Sequence, residues 1–247
     1  MADSRPSYDR GEHAMLSSRA PQARAFATQI LETVRPFVVP RTVLDVGCGY
    51  GHTAYELAQR CDEVVGIEPF AELARHGIEL ARDRKNLEIR HQGIETLEDR
   101  DRYDLIVLDN VFEHLPDQRG ALVRLTAALR PGGVLYLLMP NKLWPIEVHY
   151  QLPFLSYLPV PLASRYLRWT GRGTDYTDAS YAPTYFGLRR MLDAHPELHY
   201  HFVLPADLSL AAGGRALHYK LGVAAIRRFP ALWAISKAFL VVAQKHG

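Results

Sequence analysis

Asp45 stands two residues ahead of three alternating glycines, Gly47, Gly49 and Gly51, in the stretch VLDVGCGYGHTAYELA covering 43–58. An apolar run meets a carboxylate, then a bare backbone, then a helix-like segment. Glycine permits positive φ and lets a ligand approach the main chain, because no Cβ intervenes. The spacing is GxGxG rather than the GxGxxG of a dinucleotide fingerprint. His52-Thr53 also replaces the Lys-Ser/Thr pair that a P-loop requires. An acid ahead of the loop suits a cationic ligand group better than a phosphate. S-adenosylmethionine (SAM) has that chemistry, with an ammonium, a sulfonium and no phosphate. Cys48, among the glycines, fits as a small residue better than as a nucleophile.

Glu68 closes the next apolar run, DEVVGIE. A carboxylate at a strand end can accept two hydrogen bonds from a ribose diol, and the same group could instead cap the helix beginning near Phe70. Two histidines are placed to serve as bases near neutral pH, His114 in NVFEHL and His149 in WPIEVHYQLPF. Glu147 can orient the His149 ring only if the backbone between them is not regular helix. Around His149, residues 141–183 carry Trp144, Tyr150, Phe154, Tyr157, Trp169 and Tyr181, aromatic surface with polar handles of the kind that lines a binding pocket. Pro145, Pro153, Pro159, Pro161 and Pro183 argue against regular helix there, and Gly171 and Gly173 could act as hinges.

The elements that must hold these residues alternate. Helical spacing covers 22–34, 52–60, 70–82 and 118–130, and strands are expected at 41–46, 62–68, 86–91, 103–109 and 133–140. The strands are Val-, Leu- and Ile-rich with little polar alternation, as in a parallel sheet covered on both faces. A doubly wound, Rossmann-like α/β domain follows. Beyond the 141–183 insertion come a helix near 184–194, a strand near 199–204, a second insertion at 207–236 and a final strand, AFLVVAQ. In the second insertion Leu217, Leu221 and Ala224 share one helical face, with Arg215, Lys220, Arg227 and Arg228 supplying charge. Core packing is the simplest use of such a face; closing the cleft, pairing subunits or touching anionic lipid are the others.

The 247 residues suit one domain, and 29 Lys+Arg against 27 Asp+Glu give a net charge of +2, with no basic field to recommend nucleic acid. Two cysteines form neither a disulfide framework nor a CxxC metal pair, and the first residues lack the apolar core of a signal peptide, so a reducing cytoplasm is expected. Peripheral membrane contact and the choice between monomer and homodimer are left open.

Taken in order, VLDVGCGYG, VVGIEPF, GIETL, YDLIVLDNVFEHLPD and LRPGGVLYLLMPN resemble the class I SAM-dependent methyltransferases, and within them the small-molecule group that includes the ubiquinone-pathway O-methyltransferases. The resemblance covers 22–141, and more weakly the last helix and two strands. It implies a seven-stranded sheet whose last strand is antiparallel. It places Asp45, Gly47, Cys48, Gly49 and Gly51 beside the methionine moiety, Glu68 on the ribose and Pro69-Phe70 near the adenine. Gly93, Ile94 and Glu95 would flank the adenine, and Asn110 and Val111 the methyl-donor end. In those relatives an acid three residues before a Glu-His pair is associated with divalent metal; here Asn110 takes that place, so no metal is expected. The activity implied is methyl transfer from SAM, leaving S-adenosylhomocysteine (SAH), to a hydroxyl of a hydrophobic or aromatic small molecule, as in secondary metabolism. N-, C-, sugar or glycolipid methylation, and ligand binding without transfer, stand as alternatives. Residues 141–183 are expected to form the acceptor lid.

Overall fold

The computed structural model describes residues 20–206 and 216–246. A seven-stranded sheet runs in the order β3-β2-β1-β4-β5-β7-β6. Its strands are β1 (Thr42–Val46), β2 (Glu63–Glu68), β3 (Leu87–His91), β4 (Tyr103–Asp109), β5 (Leu129–Pro140), β6 (Leu198–Phe202) and β7 (Ala238–Lys245). β1 to β5 pair in parallel, while β7 is antiparallel to both β5 and β6. The expected mixed, doubly wound sheet is therefore present, with its last strand reversed.

Why the strands read as unbroken apolar runs is visible in how they are divided. Successive side chains point to opposite faces, so Leu44, Val46, Ile106 and Leu108 enter one core, and Val43, Leu105 and Val107 the other. Helices α1 (Ala20–Val34), α2 (His52–Leu57), α3 (Ala71–Ala81), α4 (Gln118–Ala128), α5 (Val160–Thr170), α6 (Tyr185–Leu192) and α7 (Ala216–Arg228) connect or flank the strands. Thr184 and Asp117 cap α6 and α4, each accepting from a backbone N–H three residues on.

Most element boundaries shift by one to four residues, and one segment differs from expectation. Helix α2 stops at Leu57 and α4 at Ala128, because Leu129 already pairs with Tyr103 across a register shift that carries Arg130–Gly133 inside β5. β3 begins one residue late, and β7 reaches Lys245. The larger correction concerns 141–183, which contains the regular helix α5. Pro161 sits in its first turn, where a missing N–H costs nothing, so proline starts this helix instead of breaking it. Gly171, expected as a hinge, ends the helix in the left-handed conformation at φ 66°. Gly173 lies flat on the Tyr150 ring, where a Cβ would come within 2.8 Å of Cε1.

The insertion has its own small core, built on Tyr150, Leu152, Leu155, Ala163, Leu167 and Tyr176. Its two ends meet where Lys142 N–H donates to the Pro183 carbonyl at 3.1 Å. Of the second insertion, 207–215 lie outside the described residues; the remainder forms α7 and a short 3-10 turn, Pro230–Ile235.

Because β1 to β5 are parallel, Val46, Glu68, Asp109 and Pro140 all end at one edge of the sheet, where open α/β sheets bind ligands. The central strands carry the stability of that edge. Ile106→Ala, at a fully buried position, is expected to cost about 2–5 kcal/mol. Val123→Ala, on the exposed face of α4, should stay within about 0.5 kcal/mol of wild type in the same urea titration. Equal losses at both sites would contradict the two-sided core.

Candidate active site

The glycine loop is held against β2 by backbone and side chain together. Gly47 and Cys48 N–H groups both donate to the Ile67 carbonyl, at 2.8 and 3.1 Å. Gly47, Gly49 and Gly51 all have positive φ, at 67°, 56° and 78°, which is why this turn takes glycine at alternate positions. A Cβ on Gly47 would strike Val111 Cγ2 at 2.6 Å, so the loop after β4 packs directly on the loop after β1. A Cβ on Gly49 would meet nothing within 4 Å, leaving open space over that peptide. Cys48 lies over Gly66, and burial together with Asp45 and Glu68 pushes its thiol well above the ordinary range. A thiol kept protonated is no nucleophile.

Two acids, at the C-terminal ends of β1 and β2, lie in near-complete burial. Glu68 accepts from Gly49 N–H at 2.9 Å and from Phe70 N–H at 3.0 Å. It thus serves both as a tie to the loop and as an anchor for the start of α3. Burial raises its pKa, and the two N–H bonds oppose the rise. Asp45 is 5% exposed, and its Oδ2 has no hydrogen-bond partner among the described residues. Burial, then the neighbouring Asp109 and Glu68, lift its pKa to about 8. Asp109 was not singled out from the sequence; its one signal there is an acid ending the fourth strand.

The remaining expected cofactor residues lie around this edge. His91 contacts the Pro69 carbonyl at 3.0 Å, Phe70 is half-buried at the start of α3, and Ile94 packs on the core. Glu95 is exposed, with its carboxylate folded over Gly93. Asn110 adopts φ 56° and donates from its side chain to Asp109 Oδ1 at 2.7 Å.

The insertion brings His149 into this neighbourhood. Residues 147–150 form a turn, not helix, so Glu147 Oε1 reaches His149 Nδ1 at 2.6 Å. The other oxygen of Glu147 accepts from Tyr150 N–H at 2.7 Å, which fixes the carboxylate. The His149 ring meets that of His114 edge-on, centroids 5.0 Å apart. His114 Nδ1 lies 3.0 Å from the Asp178 carbonyl, a partner that can only accept, so Nδ1 carries the proton and Nε2 the lone pair. Burial, aided by His149, lowers the His114 pKa to about 4. Its 3.9 Å approach to the fully buried Glu113 is therefore not an ion pair near neutral pH.

Glu113, His114 and His149 each bring one ligand atom within 4.8 Å of the others. Two imidazoles and a carboxylate suit a divalent transition metal. Glu113 and His114 are the Glu-His pair of the sequence motif, and the third member, which the sequence pattern did not reveal, arrives from the insertion and not from position 110.

The expected acceptor residues are not gathered into one wall. Tyr150 is buried in the core of the insertion, its hydroxyl donating to the Asp175 carbonyl, so it builds the insertion rather than facing a ligand. Trp169 is 83% exposed on α5, turned away because Ala163 and Leu167 take the inner face. Phe154 and Tyr157 are exposed and pair edge-on. Trp144 and Tyr181 are half-buried, and the Tyr181 carbonyl accepts from Gln118.

The fold and this acid-lined glycine loop define a class. Residues 18–194 match the family described as "Methyltransferase domain". The chain belongs to that family and is a class I SAM-dependent methyltransferase. It is 29% identical over 134 residues to the ubiquinone biosynthesis O-methyltransferase of Bradyrhizobium sp. (strain ORS 278), covering 53% of this chain and 49% of that protein. The namesake from Nitrobacter winogradskyi is 28% identical over 142 residues, 57% of this chain and 51% of its own. The chain thus spans about half the length of the curated relatives it matches. In fold it is similar to the plantazolicin methyltransferase BamL, solved with a triazolic desmethylPZN analog and SAH, at TM-score 0.61 and 15% identity over 96% of this chain and 89% of that one. YcgJ from Bacillus subtilis aligns at TM-score 0.54 and 16% identity, over 89% and 99% of the two chains.

SAM fits these residues on their own chemistry. The partnerless Asp45 oxygen, the three converging acids and the open space over Gly49 suit a ligand bearing positive charge. The raised pKa has a sign that can be checked. A carboxyl at 3.8 when unfolded and about 8 when folded lends stability that is complete below about pH 4 and is lost as pH rises through 8. Asp45→Asn should therefore stabilise the ligand-free protein increasingly between pH 4 and 8, while weakening SAM binding by about 1.5–3 kcal/mol. Urea midpoints across that range and calorimetry with SAM test both halves. A pH-independent stability difference would refute the desolvated acid.

Proposed function

We propose that the protein methylates a hydroxyl of a hydrophobic or aromatic small molecule, with His149 as the base and residues 141–183 as a lid over the acceptor. The observation that carries this reading is the Glu147–His149 contact at 2.6 Å, in an insertion that leaves β5 at the ligand-binding edge and rests on His114. The similarity to ubiquinone biosynthesis O-methyltransferases supports oxygen as the acceptor atom.

When bound, SAM supplies a methyl group already activated on a sulfonium. What remains for the chain is to align the acceptor and remove its proton. Glu147 holds the Nδ1 proton of His149 and so presents Nε2 with its lone pair to the acceptor hydroxyl. The proton passes to Nε2 as the oxygen acquires its methyl group, and the Glu147 carboxylate, held by Tyr150 N–H, stabilises the imidazolium that results. Asp45 and Glu68 hold the donor. Cys48 stays protonated and takes no part in transfer.

A second reading is favoured by the Glu113–His114–His149 ligand set. A divalent ion held there would polarise the acceptor oxygen as a Lewis acid. One variant separates the two. His149→Ala should retain SAM affinity and lower kcat by roughly 10²–10⁴, with product followed by mass spectrometry. Under the base reading this loss occurs without any change in bound metal, and Glu147→Gln reproduces part of it. Loss of a stoichiometric metal from the variant, by elemental analysis, would transfer the role to the ion. Activity within a few-fold of wild type would remove His149 from the chemistry altogether.

A further inference from the structure

After Asp207 the chain contains no acidic residue, yet it carries Arg215, Lys220, Arg227, Arg228, Lys237 and Lys245. Lys245 is engaged by Asp101. Lys220, Arg227, Arg228 and Lys237 make no ion pair among the described residues. On α7 the face that could have packed inward lies outward: Leu217 is 69% and Leu221 61% exposed, and Ala224, one turn further on, is exposed as well. Val223 turns the opposite way and is buried. Phe229 and Ile235, just beyond the helix, are 57% and 60% exposed. A shallow groove of about 550 Å³ runs between Lys220, Val223, Ala224, Arg227 and Arg228. Exposed leucines and a phenylalanine are thus interleaved with cations that no acid pairs with among the described residues. Water alone gives no reason for such a surface, and a purely apolar protein partner gives none for the charge.

The location adds a direction. β7 starts at the edge where β5 ends, with Ala238 paired to Pro140, and Asn141 at the root of the 141–183 insertion donates to the Ala234 and Ser236 carbonyls. The 3-10 turn that follows α7 and contacts it thus sits at the same edge of the sheet as the root of the insertion. No helix among the described residues is long and apolar enough to cross a membrane.

We propose that the exposed face of α7, with Phe229 and Ile235, docks on an anionic lipid bilayer. Lys220, Arg227 and Arg228 face the headgroup phosphates, while Leu217, Leu221 and Phe229 enter the headgroup–acyl boundary. Docking sets the cleft edge toward the membrane and does not depend on which atom is methylated.

The test is co-sedimentation of the full chain with phosphatidylcholine vesicles, with and without phosphatidylglycerol. Binding is expected only to the anionic vesicles and should fall as salt rises. Arg227→Gln/Arg228→Gln should lose roughly 30-fold in partitioning, about fivefold for each basic residue removed. Leu217→Ser/Leu221→Ser should also lose binding, which separates a bilayer from a soluble polyanion that reads charge alone. SAM affinity, measured by calorimetry, should be unchanged in both variants, showing that they are folded. Wild-type protein that ignores anionic vesicles, or a leucine variant that binds them as wild type does, overturns the proposal.

Discussion

The carboxylate of Glu68, accepting from Gly49 and from Phe70, is the contact on which the ligand-binding edge depends. One side chain joins the end of β2, the glycine loop after β1 and the start of α3. The loop could not approach β2 so closely with larger residues, since Cys48 already fills the space above Gly66. Val111 closes the other side by packing on Gly47, so the β4 loop is positioned by the same set of contacts. The connections that leave β1, β2 and β4 are thereby locked to one small region of backbone.

That arrangement places carboxylates where water is scarce. Asp45, Glu68 and Asp109 lie at the C-terminal ends of neighbouring strands, and Asp109 and Glu68 disfavour ionisation of Asp45 beyond what burial already costs. A site of this kind is held under electrostatic tension that a cation relieves. The two-sided core bears the cost: strands whose alternate residues fill separate clusters supply far more burial than one strained acid removes. In the cofactor-holding role proposed for Asp45, function opposes stability at a single side chain.

The 141–183 insertion follows a different logic. It is folded on its own core and tied to the rest of the domain by contacts that include Gln118 to the Tyr181 carbonyl and His114 to the Asp178 carbonyl. Such a unit can carry a side chain to the site without being part of the sheet, and in the proposed function His149 is the one it carries. The aromatic residues divide accordingly. Tyr150 and Tyr176 stabilise the insertion, while Phe154, Tyr157 and Trp169 lie on its outer surface.

Features governed by local physics were legible in the sequence alone. Strand positions followed from apolar runs, the glycine loop from backbone freedom, and the acids at the ends of β1 and β2 from their place after those runs. Boundaries slipped where pairing across the sheet overrode local preference, as at Leu129, and the helix α5 was missed because proline in a first turn favours what proline elsewhere prevents. The pairing of His149 with His114 required a long insertion to fold back on the sheet, and no spacing records that. The ionisation of Asp45 depends on charges brought in by other strands. The apolar stripe of α7 was readable as a stripe, but its direction was not. Periodicity shows that a helix has two faces; only its packing against the rest of the chain decides which one meets solvent.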